Sequence, residues 1–140
     1  MTTLTHIDPY SDEVIHTTVT ADEGEYLITT DDNHSAITNG ECADAITTGN
    51  YSNALTNGGF AHAITTGSES NAEVWGRESV AAVFGYWSKA RGVVGSWLIL
   101  SECSEFGTIE DMKTIKIDGE KYKANTWYQL KNGEIVEILN

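Results

Sequence analysis

Carboxylates are the side chains of this sequence that most clearly suggest chemistry. Residues 1 to 76 contain twelve aspartates and glutamates and no lysine or arginine, whereas the remaining residues carry nine acids and eight bases. Nearly all of the net charge of −13 therefore lies in one half of the chain. Carboxylates can ligate metal ions, serve as catalytic acids and bases, or attract a basic partner surface.

Metal binding and catalysis both need side chains that converge on one point. Asp44 and His62 are eighteen residues apart and form a suggestive pair, but two ligands are an incomplete set. No nucleophile with its general base, and no phosphate-binding loop, can be assembled from the sequence. We therefore predict no catalytic residues, no metal and no cofactor, and the protein is not expected to be an enzyme.

Binding is the remaining use of the carboxylates. Acidic side chains held at fixed spacing can imitate phosphates, which dominate affinity at nucleic-acid sites. The predicted binding carboxylates lie at the entry to a repeat and on one of its half-turns: Asp31, Asp32, Glu41 and Asp44. The expected partner is a protein with a basic groove, because the same charge repels nucleic acid and membrane surfaces. Solubility alone is the alternative explanation of the acidity.

A nine-residue repeat is the scaffold that must position these side chains. The unit reads small-x-Ala-x-Thr-x-Gly, as in Ser52–Gly58, and alternation closed by a glycine predicts a short strand and a turn. Glycine at each corner allows positive φ and a close approach between stacked backbones. The repeated residues are Ala36, Ala45, Ala54, Ala63, Ala72, Ala81 and Ala90, with Gly40, Gly49, Gly58, Gly67, Gly76 and Gly85.

The corners of the repeat indicate a longer period. Thr-Asn-Gly and Thr-Thr-Gly alternate from Thr38 to Gly67, so two half-turns of nine residues make one coil of eighteen. We therefore predict an all-β fold, a parallel β-roll or β-solenoid whose coils rise by about 4.8 Å. The predicted organisation is an acidic N-terminal β-strand segment at 1–34, the nonapeptide-repeat β-solenoid at 35–95, and an antiparallel C-terminal β-meander cap at 96–140, with hairpin turns at Asp118-Gly119 and Asn132-Gly133.

The alternation also predicts which side chains face inward. Charged and amide side chains must remain hydrated, so the parity of Asp44 faces out and the parity of Ala54 forms a small interior. Two apolar rows are then left on the outer surface, Ile37 with Leu55 and Ile46 with Ile64. These rows predict a buried contact, either beneath the N-terminal segment or in a homo-oligomer. The later aromatics are expected to form a wider apolar core under the cap: Trp75, Phe84, Tyr86, Trp87 and Trp97.

The composition gives an expectation for the cellular location of the protein. No run approaches the roughly 18 apolar residues of a membrane span, and the first residues do not resemble a signal peptide. Cys42 and Cys103 fit no metal or redox spacing, so both are expected to be buried, reduced thiols. A cytoplasmic location is the expectation.

Several segments of the second half carry a resemblance. They are residues 76–85, 88–92 and 97–100, with the tail motifs Ile115–Gly119, Thr126–Tyr128 and Asn132–Glu137. Over roughly residues 35 to 139 the chain resembles uncharacterised nonapeptide-repeat β-solenoid proteins of phages and mobile elements of gut bacteria. The repeats are also similar to those in the heads of trimeric autotransporter adhesins.

The phage resemblance implies action inside an infected bacterial host. Together with the acidic half, it favours a phage-encoded inhibitor that binds a bacterial defence component, in the manner of an anti-CRISPR protein with a surface that mimics DNA. The alternative is a structural or receptor-binding module of a virion or adhesin, with a trimer as one expected form.

Overall fold

The computed structural model describes the backbone of residues 2–7, 14–20 and 23–139, and the side chains of residues 23–139. In these ranges the chain forms β-strands and no helix. The strands are β1 (Thr2–Ile7), β2 (Val14–Thr20), β3 (Tyr26–Thr29), β4 (His34–Thr38), β5 (Asp44–Thr47), β6 (Asn53–Thr56), β7 (His62–Thr65), β8 (Asn71–Val74), β9 (Val80–Val83), β10 (Lys89–Arg91), β11 (Trp97–Cys103), β12 (Ile109–Lys116), β13 (Trp127–Lys131) and β14 (Glu134–Ile138).

Two parallel ladders form the body of the molecule. The even strands β2, β4, β6, β8 and β10 pair in sheet A, and the odd strands β3, β5, β7, β9 and β11 pair in sheet B. Partners in the repeat are eighteen residues apart, as where Ala54 pairs with Ala36 and with Ala72. The last step of sheet B is one residue shorter, because Trp97 pairs with Val80. The predicted all-β parallel solenoid is confirmed, with about four coils.

The parallel stack reaches beyond the repeat on both sides. β2 and β3 pair in parallel with β4 and β5, so the stack begins at Val14 and not at Ser35. β11 pairs in parallel with β9, so the stack also continues past residue 95. β1 pairs antiparallel with β2 and therefore extends sheet A at its N-terminal edge.

Antiparallel strands close the C-terminal end, as predicted, and they are divided between the sheets. β12 pairs with β11 in sheet B. β13 and β14 form a hairpin in sheet A, where Tyr128 lies opposite Ala90. Asn132 and Gly133 make the hairpin turn, with φ of 53° and 76°. The hairpin predicted at Asp118-Gly119 is wrong, because this turn leads from β12 in sheet B to β13 in sheet A.

Small side chains fill the space between the sheets. Ala54 is fully buried, as is Thr56 two residues later, and the same holds for their equivalents in neighbouring coils. The interior widens near the cap with larger fully buried side chains, namely Val74, Val83, Leu98, Leu100 and Ile117. The predicted assignment of inward and outward parities is therefore confirmed.

Serine hydroxyls tie the coils together at one corner. Ser70 Oγ accepts a hydrogen bond from Ser52 N at 3.1 Å and lies within donating distance of Gly49 O at 3.2 Å. Ser88 Oγ repeats this one coil later, with Ser70 N at 3.1 Å and Gly67 O at 3.0 Å. A hydroxyl at this position satisfies a buried N–H and a buried carbonyl together, which explains its recurrence in the sequence.

The left-handed residue of each corner is not the repeat glycine. Positive φ falls two residues later, at Asn33, Cys42, Tyr51, Phe60, Glu69, Glu78 and Trp87. The glycines are needed for another reason, since a Cβ at Gly58 would overlap the carbonyl group of Gly40 in the coil before. The predicted close approach is confirmed, and the repeat glycines do not use the positive φ that glycine allows.

Candidate functional site

The predicted carboxylates lie on two opposite edges of the roll. We call the turns from sheet B to sheet A (30–33, 48–52, 66–70 and 84–88) the first edge, and those from sheet A to sheet B (39–43, 57–61 and 75–79) the second edge. Asp31 and Asp32 lie exposed on the first edge and Glu41 exposed on the second. Asp44 is half-buried and begins β5 beside the second edge. A four-residue strand separates the edges, which is about 13 Å, so the four side chains form two groups.

Two of these carboxylates also hold neighbouring coils together. Asp32 Oδ1 accepts a hydrogen bond from Asn50 N at 2.7 Å. Asp44 Oδ1 accepts one from His62 N at 2.9 Å and lies 2.8 Å from His62 Nδ1. Any test of their role in binding must therefore preserve a hydrogen-bond acceptor at both positions.

Side chains that could support metal or thiol chemistry are dispersed. Among the residues that the structure describes, no three His, Cys, Asp or Glu side chains come together as metal ligands. Both cysteines are free thiols; Cys103 is buried as expected, whereas Cys42 is exposed, so its predicted burial is wrong. Burial raises the pKa of the Cys103 thiol, and the negative charge of Glu110 raises it further. That thiol therefore stays protonated near neutral pH and is a poor nucleophile.

The two apolar rows lie on opposite outer faces. Ile37 pairs with Leu55 in sheet A, and Ile46 pairs with Ile64 in sheet B. All four side chains are half-buried. β1 lies beside β2 within sheet A, so this strand does not lie across either row. On sheet B the row is continued in register by Ile28, Ala82 and Ile99.

Arg91 forms a contact with the cap. Glu73 Oε2 accepts a hydrogen bond from Arg91 Nε at 2.5 Å. The Arg91 guanidinium lies 4.3 Å from the ring centre of Trp127 and 5.3 Å from that of Trp75. This stack joins the last coil of sheet A to the β13–β14 hairpin. Sequence reasoning missed it, although Glu73 and Arg91 stand one coil apart.

A cavity of about 280 Å³ lies between the first edge and the C-terminal strands. It is lined by Tyr86, Trp87, Ser101, Glu102, Cys103, Ser104, Glu110, Gln129, Leu130, Lys131 and Asn132. Trp87 is 63% exposed, and Trp75 and Trp97 are also exposed. Their predicted place in the core is therefore wrong, because the cap is built from strands that leave these rings at the rim.

Trp87 stands between two concavities. Its ring is stacked on that of Tyr86, with centroids 5.4 Å apart. An adjoining concavity of about 440 Å³ is bordered by Trp87 and Gln129, which also line the first cavity, and by Glu69, Asn71, Lys89 and Ile138. The two spaces thus share one exposed indole as a border, an arrangement that suits a ligand with two linked parts.

Comparison with known proteins adds no relative. In the part of the chain that the structure describes, no helix has the length and apolar character needed to cross a bilayer. No protein-family model, curated protein or solved structure matches this chain.

Proposed function

We propose that this chain is a non-enzymatic binding protein whose acidic N-terminal coils engage a basic groove on a partner protein. The separation of charge along the solenoid carries the proposal. The coils before Arg77 contain acidic side chains and no base, while the bases belong to the last coils and the cap. A partner that approaches the N-terminal coils meets a field of one sign.

The scaffold suits such a role because it holds the carboxylates in place. Glu41 lies exposed on the second edge, and its carbonyl accepts a hydrogen bond from Gly24 N at 2.9 Å. Glu23 and Glu25 are therefore on the adjacent coil of the same edge, where coils repeat at about 4.8 Å. A rigid array loses little conformational entropy on binding, which favours recognition by a groove made for phosphates.

The resemblance to phage proteins supplies the setting of this proposal. The chain would then be a phage-encoded inhibitor that acts in the cytoplasm of an infected bacterium and occupies the nucleic-acid site of a defence component. The partner class follows from the charge, and the biological role follows from the resemblance.

Charge reversal tests the proposal. A variant with Asp31→Lys and Glu41→Lys, and with Asp32→Asn and Asp44→Asn to keep the acceptors for Asn50 N and His62 N, is expected to lose at least about tenfold of its partner binding. The protein would be immobilised, exposed to bacterial lysate and eluted with rising salt. Specific partners should elute early as salt rises from about 50 to about 500 mM, and duplex DNA should compete with them.

A matched control distinguishes the effect of these four positions from the effect of the total charge. Glu105→Lys with Glu120→Lys, combined with Asp111→Asn and Asp118→Asn, changes the net charge equally in the C-terminal half. This control is expected to retain the partner. Capture that survives high salt, or that persists in the variant of the acidic coils, would contradict the proposal.

A homo-oligomeric structural or receptor-binding module is the second candidate. The row of Ile28, Ile46 and Ile64 on sheet B favours it, since aligned aliphatic side chains on a flat face suit a self-complementary contact. Light scattering on a size-exclusion peak is expected to give a dimer or trimer. Ile46→Asp should reduce it to a monomer, and Thr48→Asp, an exposed position just beyond the same strand, should not. A monomer in the wild type at all concentrations would eliminate this candidate.

A further inference from the structure

The cavity and the adjoining concavity that share Trp87, which we together call the groove, lie at the end of the molecule opposite the acidic coils. Its walls are held in place by hydrogen bonds. The Glu102 carboxylate accepts from Asn132 N at 2.6 Å and from Gly133 N at 2.9 Å, which fixes the β13–β14 turn against β11. The Cys103 thiol lies 2.9 Å from the carbonyl oxygen of Phe84. Such a cavity needs little rearrangement to accept a ligand.

The charges around the groove are nearly balanced. Glu110 and Lys131 line the cavity, and Glu69 and Lys89 line the adjoining concavity. The remaining carboxylate, that of Glu102, is already satisfied by two backbone N–H groups. Amide side chains, which can donate and accept, supply further polar groups: Asn71, Gln129 and Asn132. This lining suits a neutral ligand rich in hydroxyl groups.

Other classes of ligand fit the groove less well. β11 pairs with β9 only as far as Leu100, and β13 pairs with β10 only at Tyr128, so the lining segments 101–103 and 129–131 are short unpaired stretches that belong to different sheets. Neither stretch gives an extended peptide a continuous edge to pair with. The groove has only two lysines against three glutamates, so it offers little positive charge to a nucleic acid. A sugar ring has one face of C–H bonds that packs on an indole, and hydroxyls around its rim that bond to amides and carboxylates.

We propose that the groove binds a neutral oligosaccharide, with Trp87 as the stacking platform between two sugar subsites. One ring occupies the cavity beside Lys131 and Asn132, and its neighbour occupies the concavity beside Asn71 and Lys89. Gln129 lines both subsites and faces the linkage. This activity is independent of the acidic coils, so either proposal can fail while the other stands.

The test uses a matched pair of corner residues. Tyr51 stands at the same corner position two coils earlier, with φ of 56° as at Trp87, and it is similarly exposed, 57% against 63%. Asn33 occupies that position one coil before Tyr51, so asparagine is compatible with its backbone. Trp87→Asn is expected to weaken sugar binding at least about tenfold, and Tyr51→Asn is expected to leave it unchanged.

The probe is an array of neutral hexose and N-acetylhexosamine oligosaccharides, followed by calorimetry with a disaccharide that the array retains. Retention of neutral glycans by the wild type, lost in the Trp87 variant alone, supports the proposal. An array that retains no neutral glycan, or equal losses in both variants, overturns it. Preferential retention of peptides from a parallel peptide array also overturns it.

Discussion

Ala54→Glu is expected to abolish folding. Ala54 is fully buried on β6, where its neighbours in register are Ala36 and Ala72, so the small interior has no room for a longer side chain. A carboxylate there would also be buried without a partner. The expected loss exceeds about 5 kcal/mol, which is comparable to the whole stability of many domains. Circular dichroism and denaturant titration measure it.

The neighbouring residue provides the control for this substitution. Asn53 is exposed on the same strand, and its side-chain oxygen accepts a hydrogen bond from Asn71 Nδ2 at 2.8 Å. Asn53→Glu keeps an acceptor at that place and points into water, so it is expected to change stability by less than about 1 kcal/mol. If both variants melt like the wild type, the inward assignment of Ala54 is wrong.

The sequence predicts the interior well because one physical rule decides it. A period of two within each unit, and of eighteen between coils, places Ala54 and Thr56 on one side of a strand and Leu55 on the other. Charged neighbours such as Asp44 then determine which side meets water. The same period already implies that Asp31 and Glu41, about half a coil apart, lie on opposite edges. The structure places them there, and the two groups of carboxylates follow from it.

The groove at Trp87 was beyond prediction because it depends on the part of the chain without a repeat. Its far wall is the β13–β14 hairpin, which is placed by the pairing of Tyr128 with Ala90 and by the Arg91 contact with Trp127. No periodicity relates these residues. An aromatic pair in the last coils predicts an apolar core equally well, and only the position of the hairpin decides between a buried ring and a platform.

Two adjacent glycines provide the second prediction, since only one of them belongs to the repeat. A Cβ at Gly58 would overlap the carbonyl group of Gly40, whereas a Cβ at Gly59 would come no closer than 3.4 Å to the Arg77 side chain. Neither glycine has positive φ, so the two positions differ in the space available for a Cβ and not in backbone strain.

Gly58→Ala must push two stacked coils apart, because the overlapping atoms belong to the backbone. It is expected to cost at least about 3 kcal/mol. Gly59→Ala is expected to be neutral or to stabilise by about 0.4–1 kcal/mol through the unfolded state. Urea titrations of the two variants measure both values, and equal midpoints would show that the repeat glycines are not required for the close approach of the coils.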